Sequence, residues 1–267
     1  MTREEQILSA TLQDKHRLAE KRGIPTHTGF LTPAELGLAE DVCRTGYLLT
    51  GGYADAERRI CVFLPSAPAD EAYGDGETEA ELAARFICVL KVSVPKGSKP
   101  LTHRDYLGAI LGLGVERSVI GDILVRQEDP DDGRRVTAGA DIIVLREMAE
   151  YLAQNLTSVG RAEVSVCIAE LSELDPGPQR TEEYRDTVAS LRLDSVCASA
   201  FRAARGKAQE AIRQGLVSVN GRQVTKPDCE IEEGDRISLR GKGKAVLTEV
   251  GPRTRKDRIA VVITRYL

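Results

Sequence analysis

From residue 3 to 22 the apolar positions Ile7, Leu8, Leu12 and Leu18 stand among charges and predict a helix, which Gly23 and Pro25 end. Thr32-Pro33 starts a second helix, with proline in its first position, that continues from Ala34 to Arg44. Leu48-Leu49 and Arg59 to Leu64 predict strands joined by the Gly51-Gly52 turn. Residues 1–80 thus predict a small α/β unit, ending near the acidic stretch Pro65 to Glu79. Farther on, Ala84 to Val94, nearly continuous in apolar residues from Phe86 to Leu90, predicts a strand, and His103 to Leu113 a helix closed by Gly112 and Gly114. Ile120 to Gln127 predicts the next strand, followed by the acidic turn Asp129 to Gly133 and a strand from Ala140 to Leu145. Arg146 to Leu156 predicts a helix and Ala162 to Leu171 a last strand. This β-α-β-β-α-β order over residues 81–175 predicts a split ferredoxin-like plait, and the fold class is α+β.

In the remaining block, residues 184–267, Leu193, Val196, Cys197, Ala200 and Phe201 fall on one face of a helix. A second helical run from Lys207 to Gln214 stops at Gly215. Leu216 to Val219 alternates as a strand, and Asn220-Gly221 supplies the positive φ angles of a two-residue hairpin turn. Gly234-Asp235 makes a further turn, then come a strand from Arg236 to Arg240 and a basic tail, Gly241 to Lys244.

Charge separates this block from the rest. Residues 191–267 carry 16 Lys and Arg against 9 Asp and Glu, a net of +7, whereas residues 1–190 carry 21 against 32, a net of −11. A basic module on an acidic chain is the electrostatic footprint of a polyanion-binding surface, most often for nucleic acid.

The order RLDxxxA…ARGKAxxxIxxGxVxVNGxxVxKP…GDxIxLRGKGK over residues 191–244 closely resembles the alpha-L RNA-binding motif of the S-four domain family. His103 to Gly114 followed by Ile120-Gly121-Asp122-Ile123, together with that module, resembles the YlmH family of bacterial RNA-binding proteins, from about residue 30 onward. The resemblance implies a plait described as RNA-binding and a role on obstructed large ribosomal subunits that carry peptidyl-tRNA. It also implies relatives in cyanobacteria and plastids, and genes near those of cell division. The expected partners are therefore structured RNA (rRNA and tRNA) and the large subunit.

Within the alpha-L resemblance, Arg192, Arg202, Arg205, Lys207 and Arg213 are the helix cations, and Lys226, Arg240, Lys242 and Lys244 flank the hairpin. His103, Arg104 and Tyr106 are a second candidate RNA contact. A-form RNA hides its bases from side chains, so recognition should rest on shape, phosphate and 2′-hydroxyl. The plait lacks the aromatic signature of an RNA-recognition motif, so base stacking by it is not expected. Arg205→Glu with Lys207→Glu is expected to abolish RNA association while preserving the fold. The family usually has serine where this chain has Ala204, and often again at Gly206, so Ala204→Ser should raise thermal stability.

Other chemistry finds little purchase. Gly112-Leu113-Gly114 lacks the rest of a phosphate loop, and Lys96 to Pro100 lacks the partner motif of a synthetase activation loop. Arg192-Leu193-Asp194 resembles the catalytic triplet of pseudouridine synthases, but it opens the S-four helix itself. His103 beside Asp105 could serve as a general base, without a cluster to support it. The six cysteines are scattered without a CxxC pair, so neither zinc nor another cofactor is expected. No run of eighteen apolar residues and no signal-peptide core is present, so a soluble, cytosolic protein is expected. A monomer without enzymatic activity is expected as well. Two other classes stay open. One is an adaptor tying RNA to division or photosystem machinery through the acidic half. The other is an accessory to an RNA-modifying enzyme.

Overall fold

A computed structural model describes residues 2–43, 45–66, 78–126, 138–174, 176 and 181–266. The expected turn at Asp129 to Gly133, the helix end at Arg44, the strand end at Gln127 and most of the acidic stretch after Pro65 lie outside the described residues. The chain divides into two compact units, Met1–Pro176 and Gly177–Leu267, of mixed α+β structure built on antiparallel sheets.

In the first unit, helix α1 (Arg3–Arg22) is opened by a capping box between Thr2 and Glu5 and closed by Gly23 at φ 64°. Strand β1 (Thr26–His27) follows, too short to leave a periodic signal. Helix α2 (Pro33–Val42) starts at a second capping box, Thr32 with Glu35. Strands β2 (Tyr47–Thr50) and β3 (Ile60–Phe63) pair antiparallel, and β1 adds to β3, giving the order β1-β3-β2. The connection between β2 and β3 is a loop over 51–59 rather than a tight turn. A Cβ on its first residue, Gly51, would meet the Arg58 carbonyl at 2.5 Å, which is why glycine stands there.

The expected strand from Ala84 begins three residues late. Thr78 and Glu81 form a third capping box and launch helix α3 (Glu79–Phe86), which buries Leu82 and Ala83 and ends only where β4 (Ile87–Ser93) starts. The apolar run from Phe86 onward concealed that boundary, because a buried strand and a buried helix face look alike over so few residues. Next come α4 (His103–Leu111), β5 (Ile120–Arg126), β6 (Gly139–Leu145) and α5 (Arg146–Asn155). After the short strand β7 (Ser158–Val159), the last expected strand, Ala162 to Leu171, is broken into β8 (Ala162–Glu163), which pairs with β7 in a short hairpin, and β9 (Ser165–Ala169). The central sheet has the order β5-β6-β4-β9, with every pair antiparallel.

One face of this sheet packs Cys88, Leu90, Ile142 and Val144 against Tyr106, Ile110, Ala149 and Leu152 of α4 and α5. On the opposite face Ile87, Ile143 and Leu145 are covered by Phe30, Ile60, Val62, Leu82 and Ala83. The N-terminal and central blocks therefore share a core. Asp122 of β5 fastens the 51–59 loop to the sheet, accepting hydrogen bonds from the Tyr53 hydroxyl at 2.8 Å and the Glu57 and Arg58 backbone N–H groups at 2.7 and 3.2 Å.

In the second unit the order is β10 (Thr181–Val188), α6 (Leu193–Ala200), α7 (Arg205–Arg213), β11 (Val217–Val219), β12 (Arg222–Gln223), β13 (Arg236–Leu239), β14 (Gly243–Arg253) and β15 (Ile259–Tyr266). The sheet runs β10-β15-β14-β13-β11-β12. Leu193, Val196, Cys197, Ala200 and Phe201 all enter one core with Ala208, Ile212, Ile237, Leu239, Ala245 and Leu247. Asn220 at φ 50° and Gly221 at φ 80° form the β11–β12 turn. Residues 241–244 are not a tail but the turn into β14, and α7 begins two residues before Lys207.

Candidate nucleic-acid interface

Helix α6 places Asp194 in its first turn, and the side chain is fully buried. Arg205, at the start of α7, donates to it twice, Nε to Oδ2 at 3.0 Å and Nη2 to Oδ1 at 3.1 Å. Gln209, one turn further, donates to Oδ2 at 2.6 Å, and Arg192 Nε reaches Oδ1 at 3.4 Å. Burial pushes the Asp194 carboxyl up, but the hydrogen bonds from Gln209 and Arg205 and the charges of Arg205 and Arg192 outweigh it and hold the group below the usual carboxylate range. Asp194 is thus the ionised hub that fixes the crossing of α6 and α7. Its backbone N–H also donates to the Pro227 carbonyl, and that of Leu193 to Cys229, so the segment bearing Lys226 is tied to the same helix start.

This arrangement corrects one expectation. Reversing Arg205 to glutamate is expected to destabilise the fold, because a second carboxylate would face a buried one. Arg205 and Arg192 still keep side chains 48% and 43% exposed. Each guanidinium has five N–H donors, so those not turned to Asp194 remain for a phosphate.

The nine cations read from the sequence do not form one patch. Arg192, Arg205 and Lys226 gather at the start of α6 and α7. Arg213 ends α7, and the Arg240 backbone N–H donates to the Leu216 carbonyl just beyond it, which brings Arg240 and Lys242 to the far end. Lys207 is exposed in the first turn between them. The nine residues of α7 separate the two ends by roughly 14 Å at the usual helical rise.

Two of the cations stand apart. Arg202, at φ 49°, pairs with Glu182 at 2.5 Å and lies 5.0 Å from the centre of the Tyr184 ring, so it staples the α6–α7 link to β10. Lys244 alternates with the buried Ala245 and therefore occupies the sheet face away from the helices.

In the first unit His103 and Arg104 are exposed in the first turn of α4, but Tyr106 is only 1% exposed and belongs to the core. Its ring is unavailable to a base, which corrects that expectation. Its spacing of four from Ile110 was the signal that it faces inward. Partial desolvation and then the neighbouring Arg117 push the His103 imidazole below its ordinary value. No aromatic residue lies on β4 or β6, the strands that would carry stacking rings.

Sequence reasoning missed the cations on the connection from β14 to β15, Arg253, Arg255, Lys256 and Arg258. Their spacing between two apolar strands was the available signal. Among the described residues no group of three His, Cys, Asp or Glu side chains could hold a metal ion, and no helix is long and apolar enough to cross a membrane.

Ala204 sits at the N-cap of α7 with no side-chain hydrogen bond. Ala204→Ser is expected to add about 1 kcal/mol and raise the melting temperature of this unit by roughly 5 °C. A calorimetric scan showing no rise would mean that the first N–H groups of α7 already have a partner.

Residues 84–173 match the family model described as "Putative RNA-binding domain in YlmH", and residues 191–237 match the S4 domain. A Bacillus subtilis (strain 168) protein named ribosome-associated protein quality control protein P2 is 34% identical over 241 residues, covering 89% of this chain and 86% of that protein. The solved structure of the cell division protein ylmH from Streptococcus pneumoniae has 19% identity and a TM-score of 0.49, over 66% of this chain and 97% of that one. With both family models in series and a relative matched over nearly its whole length, this chain belongs to the YlmH family of proteins with an S4 domain.

Proposed function

We propose that this protein is a non-enzymatic RNA-binding factor of ribosome-associated protein quality control, which touches rRNA and tRNA on the large subunit. The observation that carries the reading is the α6–α7 ledge, where a buried carboxylate orients Arg192 and Arg205 and exposed cations extend along α7. The name of the Bacillus subtilis relative, a ribosome-associated protein quality control protein, supports the ribosomal setting. Residues 1–80, 81–175 and 184–267 serve as N-terminal, central and S4 modules in this reading. The central module is a ferredoxin-like plait, supported by the strand order β5-β6-β4-β9. That plait works by shape and charge rather than by stacking, with His103 and Arg104 as its candidate contacts. The protein acts in the cytoplasm, where its ribosomal partner resides.

In a sucrose gradient of cell lysate the protein is expected to travel with free large subunits. It should leave them between about 50 and 200 mM salt, as contact with six to ten phosphates requires. Recovery at the top of the gradient at low salt would overturn the reading. Recovery with a protein partner after ribonuclease treatment would favour an adaptor instead.

A further inference from the structure

The connection between β14 and β15 is used neither by the core nor by the α6–α7 ledge. Arg253 to Arg258 holds four cations and one carboxylate. Arg253 Nη1 donates to Asp257 Oδ1 at 2.8 Å, which engages that carboxylate. Arg258 is bound back to β10, its Nε donating to the Thr187 hydroxyl at 2.9 Å and its Nη2 to the Thr187 carbonyl. Arg255 and Lys256 form the turn itself, are exposed, and have no partner among the described residues.

The turn is nevertheless well ordered. The Thr254 N–H donates to the Arg258 carbonyl at 2.6 Å and the Asp257 N–H to the Thr254 carbonyl at 2.9 Å. The Arg258 N–H donates to the Thr254 hydroxyl at 3.2 Å. Two adjacent like charges held in a fixed turn repel each other and gain no internal contact, so the folded chain is slightly worse for having them. A polyanion reverses that balance, and a turn already ordered loses little freedom on binding it.

Position identifies the polyanion. A groove lined by Thr187, Ser195, Ser199, Ala203, Arg205 and Arg258 lies between the start of α7 and Arg258, the residue at the base of this turn. Its one carboxylate, Asp186, accepts from the Ser199 hydroxyl at 2.5 Å and the Thr187 N–H at 2.7 Å, and stands against the two arginines of the lining. Arg258, three residues beyond Arg255 and two beyond Lys256, thus shares a groove with Arg205 within one unit.

We infer that the β14–β15 turn is a second contact for the RNA backbone, continuous with the α6–α7 ledge, in which Arg255 and Lys256 pair with phosphates of the same RNA. The inference rests on the RNA-binding reading above. It lies outside the alpha-L motif, which ends before β14 is complete.

The test uses the full chain with three probes: purified large ribosomal subunits, a short RNA duplex and phosphatidylglycerol vesicles. Arg255→Ala with Lys256→Ala is expected to weaken binding to both RNA probes about ten-fold near 0.1 M salt, and to reduce the slope of log affinity against log salt by about two, one for each lost phosphate contact. Its melting temperature should match the wild type. Lys207→Ala with Arg213→Ala is measured beside it. If only the second variant loses affinity, the turn is not a contact and the inference fails while the RNA reading stands. If neither does, the RNA reading fails as well. If the first variant keeps RNA affinity but loses binding to phosphatidylglycerol vesicles, the turn is a lipid contact and the inference is overturned.

Discussion

Arg205→Glu is expected to lower the melting temperature of the Gly177–Leu267 unit by roughly 15 °C, with or without RNA. The buried Asp194 carboxylate would lose its two hydrogen bonds from Arg205 and face a second anion. Breaking such a pair costs about 3 kcal/mol where one partner is half-exposed, and each kcal/mol shifts a unit of this size by about 5 °C. Gln209 and Arg192 keep the loss from being larger. Arg205→Lys should fall between, because an ammonium keeps the charge but not the two-pronged geometry. The effect also depends on pH. Asp194 titrates lower in the folded state than its unfolded value of about 3.9. Its contribution is therefore complete above about pH 4 and lost as pH falls through the lowered value. The gap between wild type and Arg205→Glu should close in acid, since protonated carboxyls neither need Arg205 nor repel one another. A gap unchanged from pH 7 to pH 3 would show that the loss comes from packing instead.

Lys207→Glu with Arg213→Glu should do the opposite, abolishing binding and sparing the fold. Both side chains are exposed, and neither has a partner among the described residues. Reversing them turns two attractive contacts into two repulsive ones along α7. Affinity for large subunits is expected to fall about 100-fold or more at 0.1 M salt, with the salt slope reduced by about two. The melting temperature should move by no more than about 2 °C, as surface substitutions usually do. Sedimentation and thermal unfolding on the same preparation separate these outcomes. Wild-type affinity in the folded variant would move the contact surface elsewhere.

Local periodicity made much of this molecule legible. The apolar face of Leu193, Val196, Cys197, Ala200 and Phe201, the Asn220-Gly221 turn and the Thr32-Pro33 helix start all depend on neighbours within a few residues, and each forms as its pattern requires. What stayed hidden is non-local. Strand β10 has no reason to be a strand until β15 lies beside it, with Thr181 opposite Tyr266. The nine cations looked equivalent because counting charge cannot distinguish an arginine holding Asp194 or Glu182 from one facing solvent. Asp194 read only as a charge at the start of the S-four helix, since its partner Arg205 lies eleven residues on in sequence and meets it only when α6 and α7 cross. Lys244 could have been set aside from the sequence, since Ala245 and Leu247 predict its strand face.

The pairing of β10 with β15 has a consequence for how the molecule is made. Synthesis proceeds from the N-terminus, so Thr181–Val188 emerges long before Ile259–Tyr266 can dock on it. Tyr184, whose hydroxyl anchors the carbonyls of Ser199 and Ala200, is carried on that waiting strand. A nascent chain still attached to its own ribosome therefore holds the two helices without their final brace. The brace on α6 is complete only once Ile259–Tyr266 has docked on Thr181–Val188, so this unit finishes folding late in synthesis.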